Sequence, residues 1–233
     1  MYFHTLPSGT RLPRADALCT ALVTHRRWEP RSENYAANHT VPTSKVQWPT
    51  CSDQVYWHRW IAKRKRVTGR YTGTTDEIIR WAACKWGLDE NLVRAVAVEE
   101  SHWHQSRLGD VCGSQGANQG EASYGLFQVK NAHCDGSPDM GGYPWTQQST
   151  SLNADFFGAR MRACFNGDFY DGGDWLYGGE RIGKIIATHG SSYAFWGCVG
   201  AWYSGDWYSS AASDYIRDVK GYLAAKMWRH LGS

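Results

Sequence analysis

The sequence predicts a mainly helical chain: residues 1–70 form an irregular, disulfide-fastened N-terminal extension and residues 71–233 form the folded domain. Three observations predict it. From Thr74 onward apolar residues recur at helical spacing between start and stop signals. Alternation of apolar and polar residues, the mark of a half-buried strand, is scarce, and there is no internal repeat. Seven cysteines (19, 51, 84, 112, 134, 164 and 198) are spread through 233 residues without a C-x-x-C pair. That pattern reads as an extracellular disulfide set rather than a zinc or redox centre.

Residues 1–70 are rich in Pro, Arg, Thr and Asn, with short apolar pieces such as Ala17-Leu18-Cys19-Thr20-Ala21-Leu22-Val23. Pairing Cys19 with Cys51, Cys112 with Cys134 and Cys164 with Cys198 closes three separate local loops and leaves Cys84 over, although spacing alone does not fix connectivity. The run Lys63-Arg64-Lys65-Arg66 reads as a solvated charged face. Asn38-His39-Thr40 has the spacing of a glycosylation acceptor, which matters only in a eukaryotic host.

Thr74-Thr75-Asp76-Glu77 reads as a helix start leading into Ile78-Ile79-Arg80-Trp81, with Gly87 placed to end that helix. Leu88-Asp89-Glu90 opens a second helix over 91–103, whose continuous apolar centre argues for burial on most sides. A glycine-containing turn at Ser123-Tyr124-Gly125-Leu126-Phe127-Gln128-Val129 comes next, then a loop around His133 and Cys134. Helices are expected near 152–165 and 182–188, separated by a Gly, Asp and aromatic loop at 167–179. A buried segment at 195–203 and a last amphipathic helix over 213–231 complete the chain.

The formal charge of +3 is mildly basic; it suits an anionic polymer but falls short of a nucleic-acid footprint, so no nucleic-acid partner is expected. No apolar run approaches a membrane span and the first thirty residues lack an apolar signal core. The expectation is a mature, secreted, monomeric protein. Its 13 Trp and 13 Tyr are in excess, many of them beside Gly, Ser or Asp. Exposed rings stack on sugar faces, so the surplus fits a carbohydrate groove, against the plainer reading that most of the rings are core.

Glu100, near the end of the buried 91–103 helix, is the leading functional candidate. Val93, Val96, Ala97 and His104 lie on its side at helical spacing, and desolvation there raises a carboxyl pKa. Glu99 projects about one hundred degrees away. Because Leu92 and Ala95 make that side apolar too, periodicity does not choose between the two acids. His102 and His104 point to different helix faces at a spacing of two, so no metal site is expected. A cysteine nucleophile at Cys134 beside His133 is disfavoured by its expected disulfide.

Glu100-Ser101, Tyr124-Gly125-Leu126-Phe127-Gln128-Val129 and Ala201-Trp202-Tyr203-Ser204-Gly205 resemble, in order, three signature motifs of the soluble lytic transglycosylase and goose-type lysozyme superfamily. The helix entry at Gly87 to Val96 and the segment beginning Ser151-Leu152-Asn153 are similar to that family too. The likeness covers roughly residues 74–230 and not the first seventy.

What it implies is a lysozyme-like helical catalytic domain that cleaves β-1,4 bonds of an amino-sugar polymer, with the peptidoglycan glycan strand as the expected substrate. Glu100 rather than Glu99 becomes the general acid, Ser101 helps to orient it, and Tyr124, Gln128, Tyr203 and Trp202 line the substrate cleft, with Trp207 a further stacking platform. No metal or organic cofactor is implied.

One departure concerns water activation. Lys130 stands where goose-type lysozymes carry an Asp. Glu121 is then the candidate for the second, water-activating carboxylate, with Asp110 a weaker one. Without such a group, the acid would draw a proton from the sugar's own 6-hydroxyl and leave an anhydro end. Two other readings compete: the same fold acting on chitin or chitosan, and a carbohydrate-binding protein that kept the fold and lost the chemistry.

Overall fold

The computed structural model describes residues 1–13, 16–48, 54–111, 122–132, 140–169 and 179–232. Residues 1–70 are less irregular than expected: they contain helices α1 (Asp16–Leu22), α2 (Tyr35–Asn38) and α3 (Gln54–Arg64). Phe3, Leu12, Cys19, Val23, Trp60 and Val67 of this stretch are buried in one core with the later helices.

The expected Cys19–Cys51 bridge is replaced. Cys19 bonds Cys84, so Cys84 is not the cysteine left over. Local loop closure misled because a helical residue at the core surface, Cys84, lies where α1 packs. Closing a 65-residue separation stabilises the fold by roughly 4 kcal/mol in the chain-entropy picture. Cys164 bonds Cys198 as expected. Cys51, Cys112 and Cys134 lie outside the described residues.

The Lys63 to Arg66 run is not a solvated face. Lys63 pairs with Asp168, the Arg64 guanidinium lies 5.8 Å from the Trp48 ring and that of Arg66 5.1 Å from the Trp86 ring. Long basic side chains bury their stems on aromatic surface while keeping their charge, which a charge count does not register. Asn38 is buried and donates to Glu29 (2.9 Å) and Thr75 (3.0 Å), so the folded chain offers no glycosylation acceptor there.

Helix α4 (Thr75–Trp86) starts with a complete capping box, Thr74 accepting from the Glu77 amide and Glu77 from the Thr74 amide, and ends at Gly87. Asp89 caps α5 (Glu90–Ser101) by accepting from the Asn91 and Leu92 amides. The second helix stops two residues short of the expected end. His102 and Trp103 both take positive φ (51° and 68°), which turns Trp103 into the core, where its indole donates to the Arg94 carbonyl (3.1 Å).

Beyond α5 a small antiparallel sheet pairs β1 (Leu108–Gly109) with β2 (Ser123–Tyr124) and β2 with β3 (Val129–Lys130). Helices α6 (Trp145–Gln148), α7 (Thr150–Asn166), α8 (Ile182–His189), α9 (Ser191–Ser204) and α10 (Ser210–Ala225) follow. The expected 213–231 helix breaks at Lys226, which is left-handed, and ends in a 3-10 turn at Met227–His230.

Helix α7 carries Asp155, fully buried, whose carboxylate accepts from Lys85 (2.8 Å), Trp86 (2.7 Å) and the amides of Thr68 (2.7 Å) and Gly69 (3.0 Å). This one group ties the backbone at Thr68 and Gly69 to α4 and α7. The N-terminal residues also clamp the far end of α5, because Arg31 donates to the His102 carbonyl (2.9 Å) and Asn34 to that of Trp103 (2.7 Å). The molecule is mainly helical and disulfide-bonded, and among the described residues no helix is long and apolar enough to cross a membrane.

Candidate active site

A cleft of ≈ 680 Å³ opens at the C-terminal end of α5, between the small sheet and the α9–α10 pair. Glu100 stands in its wall. The residue is partly accessible, yet its carboxyl is desolvated, and this burial pushes its pKa up to about 8. A hydrogen bond from the Tyr215 hydroxyl opposes the rise, the neighbouring Glu99 charge adds to it, and the Trp202 side chain donates a second opposing bond. At neutral pH a carboxyl with such a pKa is about nine-tenths protonated.

Tyr215 and Trp202 reach Glu100 because α9 and α10 pack closely. A Cβ on Gly200 of α9 would lie 2.9 Å from both Ala212 Cβ and Ile216 Cδ1 of α10, so only glycine permits this approach. The closeness also sets Tyr203 flat on Tyr215, with ring centroids 5.0 Å apart and planes 4° from parallel. Tyr203 keeps 62% of its surface exposed and offers its outer face to the cleft. Trp202 sits edge-on to Phe157 at 5.0 Å, and Phe157 stacks on Phe127 at 4.2 Å, linking the acid's partners to the glycine turn.

That turn is the loop Gly125 to Gln128 between β2 and β3, held from beneath by buried polar groups. Gln105 accepts from the Leu126 amide (3.0 Å) and Asn153 from the Phe127 amide (2.8 Å), while the Ser101 hydroxyl donates to the Leu126 carbonyl (2.9 Å). Gly125 has φ 77°, and a Cβ there would fall 2.5 Å from Gln105 Nε2 and 2.6 Å from Asn153 Nδ2. The glycine is thus required both by backbone conformation and by the packed amides.

Of the residues expected to bind substrate, Gln128, Trp202 and Tyr203 line the cleft with Glu100. Ser101 and Tyr124 do not: both are buried, Ser101 fastening the turn and Tyr124 packing its ring on Tyr143 at 5.3 Å. Trp207 packs against Gly197 of α9, partly buried against the core, and does not line this cleft. Glu99 also borders the cleft, and desolvation followed by the Asp218 charge raises its pKa, but the Tyr215 and Trp202 donors address Glu100 alone. Glu121 lies outside the described residues.

Asp110 lines the same cleft. Burial alone would raise its pKa, yet hydrogen bonds from Ser123 (2.9 Å) and Lys130 (3.2 Å) outweigh it and hold the carboxyl below the usual carboxylate range. Lys130, whose position departs from the goose-type pattern, therefore serves as the counter-ion of Asp110. Of the carboxyls that line the cleft, Glu99 and Glu100 are thus pushed toward the protonated form and Asp110 toward the ionised one, a division that acid-base chemistry can use.

Sequence reasoning missed Tyr215, which reads as one more apolar position on an amphipathic helix. The only available signal was its aromatic hydroxyl on that face. His104 pairs with Glu33 (2.8 Å), away from His102, and among the described residues no group of three or more His, Cys, Asp or Glu is placed to hold a metal ion. No family model matches the chain, and neither does any curated protein or solved structure compared with it.

Proposed function

We propose that this protein is a secreted glycosidase of lysozyme-like type. It cleaves β-1,4 bonds of an amino-sugar polymer, the peptidoglycan glycan strand first among them. The observation that carries the reading is Glu100, a carboxyl pushed up to about 8 by burial and held by Tyr215 and Trp202 in the wall of an open cleft.

In this reading Glu100 gives its proton to the bridging oxygen as the bond breaks. The carboxylate left behind is then met by the Tyr215 hydroxyl and the Trp202 indole, donors already in place when the charge appears. The exposed face of Tyr203 carries a sugar ring, and Gln128, whose amide is anchored on the Gly125 carbonyl (2.9 Å), borders the same subsite. For a hydrolytic outcome a second carboxylate activates water. Glu121 and Asp110 are the candidates, and the ionised state of Asp110 supports its part.

The test compares the wild type with Glu100→Gln on purified glycan strands and on chitin-type oligomers, with mass analysis of the products. Wild-type protein is expected to release fragments and the variant to lose turnover by at least about a thousandfold while still binding sugar. Anhydro ends identify the lytic route and new reducing ends the hydrolytic one. Retained turnover in the variant would remove Glu100 from its role, and sugar binding without any cleavage by the wild type would leave a carbohydrate-binding protein.

A further inference from the structure

A second cavity, of ≈ 390 Å³, lies at the N-terminal end of α5 and is walled by the two ends of the chain. Tyr2, Arg26 and Trp28 enter it from the N-terminal segment, Trp228 and Arg229 from the 3-10 turn that follows α10. Its floor holds Asp76, Glu90 and Arg94.

The floor is electrostatically closed. Arg94 donates to Asp76 (2.7 Å) and to Glu90 (2.9 Å), and all three side chains are buried. The walls are not. Arg26 and Arg229 are exposed, and neither side chain forms an ion pair among the described residues. Trp28 keeps 41% of its surface open and is braced edge-on by the buried Trp103 at 5.6 Å, so its face is held rather than collapsed.

Two unpaired guanidiniums beside a braced indole suit a ligand with one flat, weakly polar face and a carboxylate at its edge. A sugar ring bearing a carboxylate has that shape, and the cavity has room for one or two rings. A peptide carboxylate would use the arginines and leave the indole idle. Asn91 and Glu100 are separated along α5 by roughly 14 Å of helix rise, so a ligand held here does not occupy the catalytic position.

We propose that this cavity is a second binding site, selective for an acidic saccharide, with Arg26 and Arg229 reading the carboxylate and Trp28 the ring face. The inference does not rest on the role given to Glu100.

The experiment is an NMR titration of the full chain with oligogalacturonate, followed at the Trp28 indole N–H, whose resonance is identified by its loss in Trp28→Phe. Oligogalacturonate is expected to shift that resonance saturably, and Arg26→Gln/Arg229→Gln to raise the midpoint at least tenfold with an unchanged melting temperature. Should the double variant lose stability, Arg229→Gln alone, at an exposed position, is expected to raise the midpoint severalfold. The proposal is overturned if the Trp28 resonance does not respond, or if the midpoint is the same in the variants. It also fails if neutral N-acetylglucosamine oligomers bind equally well, or if oligoglutamate binds as tightly as the acidic sugar.

Discussion

Helix α5 carries a glutamate at each end, and the two live in opposite surroundings. Glu90 accepts from Arg94 (2.9 Å), Arg80 (3.4 Å) and the Phe3 amide (3.3 Å), and Arg94 extends the network to Asp76. Glu100 forms no ion pair among the described residues: a phenol and an indole donate to it, while Glu99 and Asp110 add negative potential. The helix dipole sharpens the contrast, since its C-terminal end disfavours a negative charge. One residue type on one helix is thus an ionised structural anchor where guanidiniums surround it and a carboxyl pushed toward its protonated form where they do not.

The largest expected effect breaks the anchored end. Arg94→Met leaves Asp76 and Glu90 buried without their shared cation, and should cost about 3–5 kcal/mol of folding stability, read by urea unfolding at pH 7. A loss under about 1 kcal/mol would mean that Arg80 and water replace Arg94 fully, and the distinction between the two ends would weaken.

At the other end the sign reverses. A carboxyl whose folded pKa lies near 8, above the ordinary 4.5, favours folding below pH 4.5 relative to higher pH, and that advantage is lost as pH rises through 8. Glu100→Gln removes this dependence. The variant should match the wild type near pH 4 and exceed it by about 4 kcal/mol at pH 8, measured by denaturant unfolding across that window. Parallel stability curves for the two proteins would show that the carboxyl is not held protonated.

Tyr215→Phe tests what tempers that acid. The phenyl ring keeps the stacking under Tyr203, and only the hydroxyl is lost. Since that hydrogen bond lowers the Glu100 pKa, its removal should move the alkaline limb of the kcat/KM profile to higher pH. The rate at pH 7 should fall about tenfold, because the departing proton leaves a less stabilised carboxylate. An unmoved limb would assign the stabilisation to Trp202.

The anchored end was hard to read in the sequence and the acidic end easier, for physical reasons. A buried acid at this end was legible because a carboxylate following a run of apolar residues conflicts with local burial, but that signal is shared by Glu99 and Glu100, and only the motif resemblance chose between them. Helices α4, α5 and α7 were legible through Thr74, Asp89 and the apolar periodicity, all local signals. The Cys19–Cys84 bridge, the inward turn of Arg64 and Arg66, and Tyr215 on Glu100 were not, since each joins residues that only the packed chain brings together. Ser101 was placed beside the acid by its motif, but its contact runs to the turn instead.

That contact gives the smallest effect and the finest test of how the acidic end is kept in register. Ser101 is buried, and its hydroxyl joins the last turn of α5 to the Leu126 carbonyl, 2.9 Å away, on the loop that ends in Gln128. Ser101→Ala leaves that carbonyl without this donor and should cost about 1–2 kcal/mol, visible as a drop of a few degrees in Tm. The pKa of Glu100 should stay put, because the donors at its carboxyl sit on α9 and α10, not on the turn. The KM should rise with the pH profile unmoved, since Gln128 loses its fixed position while the acid keeps its partners. A shifted profile in this variant would mean that the turn, and not the α9–α10 pair, sets the protonation of Glu100, and the contrast between the ends of α5 would then extend through the sheet.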